Sequence, residues 1–295
     1  MKSLTRILAA TDLSAPARHA AERAAMLARQ TGGKLELVHV LEKNAMTELK
    51  RLFEQTGDTL QERMRQQASE ALSQLASELS VGEPLEVHHH LLEGAVLAAI
   101  CDQADRLGSN LVVVGSRGAG FMRHWLLGAT AERLLRKTRH PILVVKGVPH
   151  QAYDTVLVPV DFSAWSVRAI ALARCISPQA QILLLHACEL PFEGKMRFAG
   201  IEEDTIRQHR ETIHREALAR LNEVATDAGL TPAQWCPLVA FGNPPDYILE
   251  QEEEQGADLI VMGKHGTGMT EELLLGSVTK HVLGQANSDV LVVVR

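Results

Sequence analysis

The stretch "DLIVMGKHGTGMTEELLLGSVTKHVL", residues 258–283, lines up without a gap on "NLVVVGSRGAGFMRHWLLGATAERLL", residues 110–135. In each copy an apolar, β-branched run ends at the first of four glycines, of which three carry the argument: Gly115, Gly118 and Gly128 in one, Gly263, Gly266 and Gly276 in the other. A helical pattern follows the last glycine. Strand, glycine loop and helix in that order are the parts of a βαβ unit, so the stretch reads as α/β. Its recurrence reads as a duplication.

The match extends outward. "RILAATDLSAPARHAAERAAMLA" (6–28) answers "TVLVPVDFSAWSVRAIALARCIS" (155–177), an offset of 149 (155 − 6). "LELVHV" (35–40) answers "ILLLHA" (182–187), and "HPILVVK" (140–146) answers "SDVLVVV" (288–294). A period that holds several elements marks two tandem domains, because solenoid repeats are shorter. Each half reads β-α-β-α-β-α-β-α-β, the alternation of a parallel sheet. The boundaries fall at 1–148 and 152–295, around the linker "KGVPHQAYD" (146–154), where Gly147 and Pro149 interrupt the pattern. The first helix is rich in alanine (Ala17, Ala20, Ala21, Ala24, Ala25, Ala28), which lets it lie close against a sheet. The second carries the stripe Leu60, Met64, Ala68, Leu72, Leu75 and Leu79 at three- and four-residue spacing, an ordinary core face.

Composition agrees. Of 295 residues, 46% are hydrophobic but only 4% aromatic, so the core is built from Val, Leu, Ile and Ala, as in strands covered on both faces by helices. No apolar stretch approaches membrane-spanning length. The opening "MKSLTRILAATD" runs into a strand-like segment without a cleavage signature, so a cytoplasmic protein that does not enter membranes is expected. Cys101, Cys175, Cys188 and Cys236 form no CxxC pair and suggest neither a disulfide framework nor a thiolate metal site. The net charge of −6 argues against a nucleic-acid binder. Residues 1–150 carry 19 basic against 16 acidic side chains (+3), and 151–295 carry 11 against 20 (−9), so the halves differ electrostatically.

Ligands of open parallel sheets collect beyond the carboxyl ends of the strands. Four features fall there in both halves: Asp12 and Asp161 after the first strand, His39 and His186 closing the second, Gly94 and Gly242 after the third, and the glycine loops after the fourth. Glycine lets the main chain approach a ligand without a Cβ in the way. The helix opening at Gly276 and Ser277 offers N–H groups without internal partners and a dipole that favours an anion such as phosphate. Ser277 either caps that helix or donates to a phosphate oxygen. The blander alternative is a tight loop with Ser277 as cap only, and the recurrence of the trio weighs against it.

Other motifs are quieter. "VHHH" (87–90) puts His88 and His90 on one strand face, a pair that could hold zinc, but no third ligand is set by spacing, so strand histidines are the preferred reading. His39 and His186 read as neutral groups donating to backbone carbonyls. "EQEEEQ" (250–255) reads as a solvated helix face. GxxxxGK[ST], GxSxG and GxGxxG are all missing and no acid-base set is visible, so catalysis beyond slow ATP hydrolysis is not expected.

The spacing G-x2-G-x9-G followed by Ser or Thr, with an Asp in a "VDFS"-like turn after strand one, resembles the ATP-binding signature of universal stress proteins. The likeness covers essentially the whole chain as two copies, the tandem arrangement of the E-type members. It implies two Rossmann-like, adenine-nucleotide α-hydrolase-like domains, each a five-stranded parallel sheet of order 3-2-1-4-5 flanked by helices, packed as a pseudo-dimer through their last strands. It implies ATP or AMP as ligand, with or without magnesium, and a regulatory role in stress resistance. Carried over to this chain, Asp161 and the backbone near Pro159 and Ala187 hold the adenine and ribose. Met262, Gly263 and Gly266 line the ribose and phosphates, and Gly276, Ser277 and Val278 take the phosphate tail. The counterparts in the first half are Asp12, Val40, Gly115, Gly118, Gly128 and Thr130. There Ala129 stands where the family has a hydroxyl, a loss of about 1.5–3 kcal/mol at a charged phosphate that Thr130 could offset. Glu271 and Glu272 weigh against the second half, where the first has Arg123 and His124, but exposed charges count for only about 0–1 kcal/mol each. The second half is the favoured site.

A nucleotide-responsive module is thus the leading expectation, with an adenine nucleotide, a protein partner and a homodimer as its associations. The alternative is a tandem scaffold that has lost nucleotide in one or both halves and binds another ligand or protein. A metal or redox sensor using the histidines and cysteines is a third.

Overall fold

A computed structural model describes residues 4–52, 57–118, 127–188, 198–266 and 275–294. The chain divides into unit 1, Met1–Ala152 with Asp289–Arg295, and unit 2, Tyr153–Ser288. In chain order unit 1 holds β1 (Arg6–Ala10), α1 (Ala15–Thr31), β2 (Lys34–Glu42), α2 (Lys43–Leu52), α3 (Gly57–Leu79), β3 (Val87–Gly94), α4 (Val96–Leu107), β4 (Leu111–Gly115), α5 (Ala129–Lys137) and β5 (Ile142–Val145). Unit 2 holds β6 (Thr155–Pro159), α6 (Ala164–Ile176), β7 (Gln181–Cys188), α7 (Glu203–Asp227), β8 (Trp235–Phe241), α8 (Pro244–Glu254), β9 (Leu259–Gly263) and α9 (Ser277–Gln285). The last strand, β10 (Asp289–Val293), belongs to unit 1.

In unit 1 the strands run β3-β2-β1-β4-β5, every neighbouring pair parallel, the order the family resemblance implies. β10 extends this sheet antiparallel to β5, with Leu291 opposite Leu143. In unit 2 the parallel order is β9-β6-β7-β8. The central strands are apolar through their middle positions because helices cover both faces: Ile7, Leu8 and Ala9 in β1, and Val156, Leu157 and Val158 in β6, have no solvent exposure. The alanines of α1 from Ala17 to Ala28 are likewise buried, so its backbone sits close against β1 and β4. Gly32 ends α1 in the left-handed region (φ 66°) and returns its N–H to the last turn. Between β2 and β3, where one helix is expected from sequence, there are two. The apolar stripe lies on α3, with Ala68, Leu72, Leu75 and Leu79 buried.

A shared device starts each first strand. In unit 1 Asn110 Oδ1 accepts from the N–H groups of Thr5 (2.9 Å) and Arg6 (3.0 Å). In unit 2 the matching residue is Asp258, whose Oδ2 accepts from Asp154 N–H (2.8 Å). Burial, with Asp154 nearby, pushes the Asp258 carboxyl above the usual carboxylate range despite those N–H donors. A carboxyl whose pKa rises on folding favours the folded state at low pH, and that contribution disappears as pH climbs through the raised pKa. Asp258→Asn should therefore raise the thermal midpoint at pH 7–8 and change it little near pH 4, as read by calorimetry at both pH values.

The acidic run after Tyr247 is not wholly solvated. Glu252 is 5% exposed, and its Oε1 accepts from the N–H groups of Asn287 (2.8 Å) and Ser288 (2.5 Å), fixing the turn after α9. A lone glutamate in an acidic run gives no sequence sign of such a long-range contact. Within unit 1, Asp289 takes the N–H of Lys146 (2.8 Å) and pairs with Arg23 at 3.2 Å, both side chains nearly buried.

Candidate functional site

After β6 the chain turns sharply at Val160–Ser163. Phe162 adopts φ 60°, as Leu13 does in unit 1 (φ 66°), a left-handed conformation costing a non-glycine residue about 1–2 kcal/mol. Such strain persists where the surroundings over-determine it. Here Asp161 Oδ1 accepts from Ser163 N–H (3.0 Å), the Ser163 hydroxyl (2.6 Å) and the Ser166 hydroxyl (2.8 Å), while Asp161 N–H donates to Ser166 Oγ (3.1 Å). Ser163 Oγ also accepts from Trp165 N–H (3.3 Å) and so caps α6. In unit 1 Asp12 Oδ1 accepts from the N–H (3.0 Å) and hydroxyl of Ser14, and Ala17 stands at the place of Ser166.

The glycines of the fourth crossover are held by close approach. A Cβ on Gly263 would stand 2.9 Å from Trp165 Cβ and 3.1 Å from His265 O, and one on Gly118 would stand 2.7 Å from Asp12 Oδ2. Gly276 N–H closes onto Lys264 O (3.0 Å) and Gly128 N–H onto Ser116 O (2.8 Å). The first helical bonds follow, Lys280 N–H to Gly276 O (2.9 Å) and Glu132 N–H to Gly128 O (3.0 Å). The N–H groups of Ser277, Val278 and Thr279, and of Ala129, Thr130 and Ala131, precede them and have no partner within their helices. Gly276, not Ser277, occupies the cap position, and no side chain caps α9. Ser277 is the first helical residue and lies exposed, so of the two roles open to it capping does not hold, because a cap must precede the first helical residue. Thr279, 3% exposed, donates its hydroxyl to Gly263 O (2.9 Å) and ties α9 to the end of β9, whereas unit 1 has Ala131 there.

These pieces surround one cavity in each unit, of ≈ 310 Å³ in unit 2 and ≈ 390 Å³ in unit 1. Pro159, Asp161, Ala187, Met262, Gly263, Gly266, Gly276, Ser277 and Val278 line the former; Asp12, Val40, Gly115, Gly118, Gly128 and Thr130 line the latter. Gly94 and Gly242 line neither; with φ of 144° and 140° they turn the chain into α4 and α8. The first turns of those helices contribute instead, Val96 and Ile100 in unit 1 and Pro244 and Ile248 in unit 2. Sequence reasoning also missed Trp165, Ser166, His265 and Thr279. The signal was present at Ser166 and Thr279, hydroxyl residues matched by alanine in the other repeat. Arg123, His124, Glu271 and Glu272 lie outside the described residues.

His186 Nδ1 lies 2.7 Å from Val160 O, and His39 Nδ1 lies 2.8 Å from Thr11 O. A carbonyl only accepts, so these nitrogens carry the protons, as the sequence suggests. Burial, with Arg220 adding to it, holds His186 below the usual histidine range. The Arg220 guanidinium lies 3.9 Å over the Phe162 ring, which in turn sits 4.3 Å from His186. In the glycine loop Lys264 is buried and pushed below the ordinary lysine range, and His265 is lowered by burial and by Lys264. The "VHHH" strand uses two of its rings locally: His88 meets Glu86 and His90 meets the buried Glu36, each at 2.8 Å. Among the described residues no three His, Cys, Asp or Glu side chains are grouped to hold a metal, and no helix is long and apolar enough to cross a membrane.

Comparison with known proteins bears on the fold and its duplication. Residues 3–146 and 152–294 each match the sequence model of the universal stress protein family. A universal stress protein of Mycolicibacterium smegmatis is 26% identical over 291 residues, 97% of this chain and 96% of its own. One from Mycobacterium tuberculosis is 26% identical over 263 residues, covering 88% of this chain and 86% of its own. Among solved structures, a universal stress protein from Archaeoglobus fulgidus superposes over all of both chains with a TM-score of 0.71 at 22% identity, a likeness of fold.

Proposed function

The chain belongs to the universal stress protein family, and from that premise we propose that it is a regulatory binding module for adenine nucleotides, ATP or AMP, with one site at the carboxyl edge of the sheet in each domain, 1–148 and 152–295. The observation that carries this reading is the recurrence, around one cavity in each unit, of three parts: a fixed carboxylate, a glycine cradle and an open helix N-terminus. Each suits a different portion of a nucleotide. The carboxylate of Asp161 or Asp12 accepts from hydroxyl or amino donors at the nucleoside end. The backbone at Gly263 and Gly266, or Gly115 and Gly118, allows the close approach a ribose and α-phosphate need. The N–H groups opening α9 or α5 favour a polyphosphate through both hydrogen bonds and the helix dipole.

The cavity volumes sit at the lower end of those known for small-molecule sites. In unit 2 the exposed Ser277 hydroxyl stands beside the helix N-terminus and can add a donor to a phosphate; in unit 1 that place is Ala129, and Thr130 is the neighbouring hydroxyl. Magnesium, where it accompanies ATP, would draw its ligands from the phosphates and water. Occupancy would order the crossover loops and alter association with a protein partner, in the cytoplasm. The test is direct. Purified protein, denatured and filtered, should release an adenine nucleotide identifiable by its absorbance and mass. A filtrate free of adenine, from protein that also fails to take up added ATP or AMP, would sink the reading and leave a tandem scaffold.

A further inference from the structure

The two cavities share a backbone plan but differ at two hydroxyls that brace it. In unit 2 the Ser166 hydroxyl lies in the middle of a closed ring. It accepts the N–H of Asp161 (3.1 Å) and donates to Oδ1 of the same residue (2.8 Å), and it is 3% exposed. Together with both bonds from Ser163, this fixes the Asp161 carboxylate on the cavity wall. Opposite it, Thr279 bonds Gly263 O at 2.9 Å and so locks the first turn of α9 onto the end of β9. Thus one hydroxyl sets the nucleoside end of the cavity and another sets the distance from the glycine cradle to the helix N-terminus. Unit 1 has Ala17 and Ala131 at the two positions, both in its cavity wall. Neither can make the corresponding bond.

Preorganised groups bind more tightly than groups that must be ordered by the ligand, since their conformational entropy is lost on folding and not on binding. We infer that Ser166 and Thr279 are positioning residues that make the unit 2 cavity the high-affinity site, and that Ala17 and Ala131 leave unit 1 as a weaker site for the same ligand. The chain would then respond to nucleotide in two steps, unit 2 filling first. This rests on the nucleotide reading above.

The experiment uses the full chain and ATP as probe, followed by calorimetry. Wild type should show two classes of site. Ser166→Ala, which copies unit 1, should weaken the tighter class about five- to tenfold, the scale of one lost hydrogen bond, and the reciprocal Ala17→Ser should tighten the weaker class. Thr279→Val should weaken the tighter class, and Thr279→Ser should restore it, because only the hydroxyl is at issue. A purely structural role would lower the thermal midpoint of the ligand-free protein without giving Ala17→Ser any gain. If wild type binds ATP but Ser166→Ala, Thr279→Val and Ala17→Ser all leave both affinities unchanged, the positioning role is overturned while the nucleotide reading stands. If wild type binds no adenine nucleotide, both fall together.

Discussion

Gly263→Val should remove ATP binding from unit 2 while the protein still folds. A first side-chain carbon at this position already lies 2.9 Å from Trp165 Cβ and 3.1 Å from the His265 carbonyl oxygen. Neither is the loose end of a flexible side chain, so α6 and the glycine loop must move apart. Valine adds two methyl groups to that conflict. Overpacking of this kind costs about 1–3 kcal/mol, which a domain with this much buried apolar surface survives. The ligand is affected more, because the displaced residues are those of the cavity wall and the Gly263 carbonyl is the acceptor for Thr279. A loss of affinity of about a hundredfold or more at the unit 2 site is expected. Gly284→Ala is the control: it lies in α9, and a Cβ placed there would have nothing within 4 Å, so alanine in place of this helical glycine should leave binding intact and raise stability by up to ~1 kcal/mol. Equal affinity in wild type and Gly263→Val would mean that the ligand does not use this wall.

Leu157→Ala should produce the largest loss of stability. Leu157 is fully buried in β6, between Leu183 of β7 and Ile260 of β9, with helices on both faces of the sheet. Truncation removes apolar contact and leaves a cavity that a close-packed interior fills only in part, a cost of about 2–5 kcal/mol. Urea unfolding followed by tryptophan fluorescence is a suitable reading, since Trp165 and Trp235 both belong to unit 2. The unit 2 transition should move to clearly lower urea. Val81→Ala, at a side chain 75% exposed, should stay within about 0.5 kcal/mol of wild type. Similar midpoints for the two variants would contradict the assignment of β6 to the centre of the core.

The residues behind these two variants are of the legible kind. The buried strands can be read directly from the sequence, because a strand covered on both faces is apolar through most of its length, and the repeat displays each one twice. The glycine loop can be read for a related reason: close approach of main chain leaves few alternatives to glycine. Three features cannot. The left-handed turn at Leu13 and Phe162 uses residues that give no sign of it; only the Asp-x-Ser bonding around them makes the conformation tolerable. Glu252 looks like its solvated neighbours and is distinguished only by two N–H groups 35 and 36 residues away. Ser277 looks like a helix cap, but Gly276 takes that position because its C=O accepts the first helical N–H, that of Lys280, which starts the helix at Ser277, one residue earlier than a Ser277 cap would. Each depends on a contact between segments distant in sequence or on a backbone angle, and neither leaves a periodic trace. Ser166 and Thr279 fall between the two cases. Their alanine counterparts are visible once the repeats are superimposed, yet the consequence appears only when the hydroxyls are seen to bond Asp161 and Gly263.

A pair of cavities built from one plan, one of them braced by two hydroxyls where the other has alanine, is the feature on which the proposed function turns. Calorimetric titration of the full chain with ATP tests it most directly. Two sites per chain should appear, the tighter one disappearing in Gly263→Val and the weaker one persisting. A titration without saturable heat at millimolar ATP, from folded protein that carries no nucleotide from purification, would contradict it.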